Sequence, residues 1–183
     1  MARPYNGYPT LATTYTGLIT VDSILSDYKW WQSSSNDAVT LSYSFPWATL
    51  DVAAFEGPNG TASTYSVEGE LDAEFYFGLN DVEQNAFRDS LVKWSSVANI
   101  TFSEIDETSS SVGVIRVAFS SADGLQDSWG WAYEPNDYYS TGGDIWINAD
   151  YADDDKNWGA NSYNYESLLH EVGHTLGLTH SFA

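Results

Sequence analysis

All three histidines of the chain fall within eleven residues, HEVGHTLGLTH, from His170 to His180. Residues four apart on a helix share one face, about 6 Å apart along the axis. A helix through this stretch therefore aims the imidazoles of His170 and His174 at one point. Gly177 follows one turn later, and glycine can adopt the positive φ that ends a helix and turns the chain back. His180 then arrives from a loop. Whatever fold the chain adopts must allow this helix, this turn and this return.

Three neutral imidazoles make a good zinc site, and three protein ligands leave a fourth position open, as catalytic rather than structural zinc requires. Glu171 follows the first ligand, projecting about 100° around the helix from it. That position suits a general base acting on a water that the metal activates. Leu168, Leu169, Val172, Leu176 and Leu178 would pack the helix against the rest of the protein. The alternative is a surface helix with incidental histidines. The H-E-x-x-H core alone is moderate evidence; the extension to H-E-x-x-H-x-x-G-x-x-H fixes five positions and disfavours chance.

The remaining sequence reads as one α+β domain. With 183 residues it can bury a sizeable core. NDVEQNAFRDSLVKWSSVAN has helical periodicity, with Asn80 as cap, Glu83 completing a capping box, and Phe87, Leu91, Trp94 and Ala98 on one face. Strands are expected at Val39–Phe45, Ile100–Ile105, Val112–Phe119, Trp129–Tyr133 and Gly143–Asn148. A short helix is expected at Val21–Trp31, capped by Asp22 or Ser23. Residues 1–38 are otherwise turn-rich, and residues 51–72 read as loop.

The 26 acidic against six basic residues give a net charge of −20, which argues against a nucleic-acid partner. There is no cysteine, hence no disulfide framework and no thiolate metal site. The start, MARPYNGYPTL, lacks the pattern of a secretory signal, and no apolar run approaches the ~18 residues of a membrane span. Asp153, Asp154 and Asp155 lack the spacing of a calcium loop. Asn59 and Asn99 fit the glycosylation pattern. A serine triad would have to borrow a histidine from the cluster.

HEVGHTLGLTH resembles the zinc motif of the metzincins, and its filling is most similar to the serralysin-type bacterial metalloproteases. Lys29–Trp30, VTLSYSFP, AFRDSLVKWSSVANITFSEI, GWAY and GGDIWIN resemble serralysin catalytic segments in the same order, so the likeness runs roughly from Val21 to His180. It implies a twisted five-stranded mixed sheet with an antiparallel edge strand and two long helices, the second carrying the zinc motif. It further implies zinc-dependent endopeptidase activity on protein or peptide substrates, with Glu171 as general base and zinc on His170, His174 and His180. The edge strand would be Gly130, Trp131, Ala132 and Tyr133, and substrate would pair with it. Trp131 and Tyr133 could line the cleft or face the core. A secreted monomer is expected, along with possible calcium at the Asn136–Asp137 and Gly142–Asp144 loops.

Two family features are missing. The only methionine is Met1, so the methionine turn below the zinc is not present, nor is the glycine- and aspartate-rich calcium-binding repeat domain. Residues 1–183 are thus expected to be a single, C-terminally incomplete catalytic domain. It would end just after the third zinc ligand, with a frayed His180 and little activity. The competing readings are a non-catalytic, zinc-retaining, aromatic-rich binding module and an inactive truncated fragment.

Overall fold

The computed structural model describes residues 8–31, 38–48, 53–55, 65–108, 111–152 and 157–181. Much of the 51–72 loop, the Asp153–Asp155 run and Asn59 lie outside them.

The expected helix at Val21–Trp31 is replaced by the end of a short helix and a short strand. Strand β1 (Thr10–Ala12) pairs antiparallel with β2 (Tyr28–Trp30), and between them lies a four-residue helix, α1 (Ile19–Asp22). Asp22 does not cap α1. Its carboxylate accepts from the backbone N–H groups of Thr16 and Gly17, closing the turn that precedes the helix. With Ile19 and Val21 exposed, so short a helix has little burial to extend it, and Tyr28–Trp30 instead gains a ladder partner in β1.

The main sheet contains β3 (Val39–Ser44), β4 (Tyr76–Phe77), β5 (Ile100–Glu104), β6 (Ile115–Ser120), β7 (Gly130–Ala132) and β8 (Asp144–Asn148). Five strands run in the order β5-β3-β6-β8-β7, all parallel except β7, an antiparallel edge strand. The sixth, two-residue β4 pairs antiparallel with β6 at Phe119 and Ser120, beyond the end of β3. The five predicted strands are present within a residue or two except that β6 begins at Ile115, three residues after Val112.

Helix α2 (Asp81–Val97) starts at the predicted capping box: Asn80 accepts from the N–H of Val82 and Glu83, and Glu83 accepts from the N–H of Asn80. Helix α3 (Tyr163–Thr175) is capped by Ser162. Both helices cover one face of the sheet. Ala86, Phe87, Leu91, Tyr165, Leu168 and Val172 pack there with Ile115, Val117, Phe119, Ile145 and Ile147. The intervening residues of the same strands point the other way. Ala118 and Trp146 join Phe55, Tyr65, Ala122 and Leu125 in a second core. Both faces being covered, every residue of β6 and β8 is buried.

One buried ion pair sits on that second face. Arg116 of β6 makes a two-point contact with Asp144 of β8, stacks over Phe55 at 4.0 Å, and donates to the Ala54 carbonyl at 2.8 Å. Burial would disfavour the guanidinium charge, but Asp144 outweighs it and the Arg116 pKa is raised.

Candidate functional site

Helix α3 is held rigidly before it presents any ligand. Leu168 and Val172 are fully buried, and the Trp94 indole of α2 donates to the Leu169 carbonyl at 3.1 Å. The Trp94 ring also lies against Gly173; a Cβ there would come within 3.1 Å of it. Within HEVGH the glycine is thus where α2 presses closest on the ligand helix.

The helix ends as the motif requires. Gly177 has φ +98°, its N–H donates to the His174 carbonyl at 3.0 Å, and the Leu178 N–H donates to the Gly173 carbonyl at 3.0 Å. This paired closure satisfies two terminal carbonyls and reverses the chain. His180 returns to the face from which His170 and His174 project.

The three imidazoles meet. Their Nε2 atoms are separated by 2.9 Å (His170 to His180), 3.0 Å (His170 to His174) and 3.2 Å (His174 to His180). Nδ1 of His174 donates to the Leu178 carbonyl at 2.7 Å, since a carbonyl can only accept. In the neutral ring this leaves Nε2 as a lone pair aimed into the triangle. A tetrahedral zinc about 2.0–2.1 Å from each nitrogen asks for nitrogens roughly 3.3 Å apart, so a slight opening of the triangle accommodates it. Among the described residues this is the one grouping of three or more His or acidic side chains able to share a metal ion.

Burial first, then the charges of His174 and His180, hold the His170 pKa below its usual value, which favours the neutral, ligating ring. Glu171 is only 7% exposed, and burial pushes its carboxyl up to about 7. A nearby dication would favour the carboxylate.

The edge strand β7 lies in the same half of the molecule, in contact with α3. Trp129 accepts from the Asn148 N–H, and the Tyr133 N–H donates to Asp144, both toward β8. By the alternation of an antiparallel ladder, the N–H and C=O of Gly130 and Ala132 point outward. The side chains of Trp131 and Tyr133 do not line that outward edge. They lie in the second core, where both donate to Oε1 of Glu70, at 3.1 and 2.5 Å. Ala132 packs on the helix side. Glu70 went unnoticed in the sequence, where nothing in its loop distinguishes it from the other acids.

The calcium expectation finds its residues engaged elsewhere. Asp144 is buried against Arg116 and accepts from Tyr65 at 2.6 Å. Oδ1 of Asn136 accepts from the N–H groups of Tyr138 and Tyr139, and Asp137 accepts from the Thr10 N–H at 3.3 Å.

The chain matches the family model of the matrixins (peptidase M10) over residues 59–183. It is 29% identical to a serralysin of Photorhabdus sp. (strain Az29) over 171 residues, 87% of this chain and 30% of that protein. It is 33% identical to serralysin C of Dickeya chrysanthemi over 106 residues, 57% of this chain and 21% of the relative. The chain thus spans under a third of the length of these curated relatives. A solved structure of myroilysin superposes with a TM-score of 0.47 at 16% identity, covering 84% of this chain and 52% of that one. With the family match extending through all three converging histidines, the chain belongs to the matrixin family (peptidase M10) and is similar to the serralysins.

Proposed function

We propose that this chain is the catalytic domain of a zinc-dependent endopeptidase. The observation that carries the reading is the triangle of Nε2 atoms, 2.9–3.2 Å on a side, with the buried Glu171 next in sequence to the first of them. His170, His174 and His180 would hold zinc, which when bound supplies Lewis acidity, acidifying a water and polarising the scissile carbonyl. Glu171 takes the proton from the attacking water and passes it to the leaving amine. Its burial suits a group that must both accept and return a proton in a site sheltered from bulk water.

An extended peptide would add itself to β7 as a further antiparallel strand, bonding to the outward backbone groups of Gly130 and Ala132. Trp131 and Tyr133 contribute from behind: anchored on Glu70, they keep the edge in place. Export from the cell and a monomeric state belong to the same reading and rest on the family resemblance. No helix among the described residues is long and apolar enough to cross a membrane.

The test is Glu171→Gln. It should retain zinc while peptide hydrolysis falls by about 10²–10⁴-fold. Hydrolysis at an unchanged rate would refute the assignment of the base. Failure of the wild-type chain to take up one zinc would refute the site itself.

A further inference from the structure

Behind the histidine triangle, a segment distant in sequence grips the loop that delivers the third ligand. The Ser26 N–H donates to the Gly177 carbonyl and the Thr179 N–H donates to the Ile24 carbonyl, each at 2.9 Å. Leu25 and Leu178 face each other as an antiparallel bridge. Residues Ile24–Ser26 therefore act as a one-residue strand beside the return from Gly177 to Thr179. Four positions further on, the buried Trp30 indole donates to the Thr175 carbonyl at 2.7 Å. That carbonyl is among the last four of α3, which lack partners within the helix. Gly177 itself is walled in: a Cβ there would stand 3.0 Å from the Tyr28 carbonyl oxygen and 3.6 Å from Pro135.

The same segment is fastened elsewhere. The Ser26 hydroxyl donates to Glu134, just past β7, at 2.5 Å. Trp30 lies in β2, paired to β1, and Tyr8 packs edge-on against its ring. The loop to His180 is thus tied to a braced structure rather than to solvent.

We propose that Ile24–Trp30 is a clasp that positions the third metal ligand, with Ser26 and Trp30 as its positioning residues. The motif supplies the imidazole and the glycine turn. The clasp sets where the turn delivers His180, and so how tightly the site holds its metal. This rests on the reading of the three histidines as a zinc site. Partners that orient ligands from outside typically set metal affinity by about 10–100-fold.

The experiment is a double-mutant cycle read as zinc affinity by chelator competition. Wild type, Trp30→Phe, His180→Ala and the double variant are compared. Phenylalanine keeps a ring in place and removes the N–H. Trp30→Phe is expected to weaken zinc binding about tenfold in the presence of His180 and to have little further effect once His180 is gone. An equal loss in both backgrounds would mean a general structural role and would overturn the proposal, as would no loss in either. Should Trp30→Phe fail to fold, Ser26→Pro against Ser26→Ala serves. Proline removes the N–H bond to Gly177, and alanine controls for the hydroxyl. Equal zinc affinity of these two variants would overturn it. Absence of zinc binding by the wild type would instead sink the underlying site.

Discussion

The Tyr133 hydroxyl donates to Oε1 of Glu70 at 2.5 Å, joining the end of the exposed edge strand to a buried carboxylate 63 positions earlier. The same oxygen accepts from the Trp131 indole, and the other Glu70 oxygen accepts from Ser66. Glu70 is 1% exposed, so one buried acid organises the back of β7. Burial, then the bond to Glu70, raises the Tyr133 pKa and keeps the phenol a donor.

Removing that side chain leaves three donors facing a cavity. Each buried group left unsatisfied costs about 1–3 kcal/mol, so Glu70→Ala should lose on the order of 3 kcal/mol or more in urea unfolding. Glu70→Gln keeps one oxygen for Trp131 and Tyr133 and should lose clearly less. Equal losses would mean that packing, not hydrogen bonding, is what Glu70 provides.

Arg116 lies between Asp144, with a two-point contact, and Glu107 at 3.8 Å, all nearly fully buried. Burial raises the Glu107 pKa even so. Arg116→Met strips the positive charge from two buried acids and should cost about 3–5 kcal/mol. Adding Asp144→Asn should recover part of that loss, since the amide introduced there carries no charge and retains an oxygen for Tyr65. Chemical denaturation of the single and double variants measures both effects.

Glu171 gives the metal-free protein a pH dependence of known sign. Its carboxyl rises from an ordinary 4.5 to about 7 on folding. Between those values the unfolded chain releases the proton that the folded chain keeps. Stability therefore falls as pH rises through this window, by about 3 kcal/mol in full. With metal removed, Glu171→Gln should be more stable than wild type at pH 8 by roughly that amount and no more stable at pH 4. His170 acts oppositely. Its pKa is lowered from 6.5, so the unfolded chain takes up the proton first and stability is lost as pH falls below 6.5. In Glu171→Gln that acid-side loss should stand uncovered in a pH series of denaturation midpoints.

Substrate pairing with β7 predicts a backbone effect without a side-chain effect. The N–H of Ala132 points outward, away from β8, so Ala132→Pro removes a donor that the sheet does not use. The variant should fold with near wild-type stability while KM for a peptide rises about tenfold or more, the loss of one or two backbone bonds. A KM unchanged in a folded Ala132→Pro protein would exclude β7 as the peptide-binding edge.

Much of this molecule is written locally. Helix α2 was legible because its capping box and its Phe87–Leu91–Trp94 face lie within one window, where periodicity and capping act. The core strands could be read for the same reason, their β-branched runs being buried on both faces. The three histidines and Gly177 were legible because helix geometry alone converges His170 and His174, and a positive φ turns the chain. Where local signals were weak, the reading failed. Val21–Trp31 has helical spacing, but its pairing with Thr10–Ala12 and its contacts with Gly177–Thr179 lie with distant residues.

The sequence by itself determined the ligand types, their spacing and the turn between them, since these follow from the helical repeat and the missing Cβ of Gly177. Only the tertiary structure decided that Trp30 would meet Thr175 across 145 positions, and that Glu70, one acid among 26, would be the one buried behind β7. Such contacts carry no periodic signature. They arise when a whole sheet and two helices close around a core, and burial then selects which polar groups must find each other.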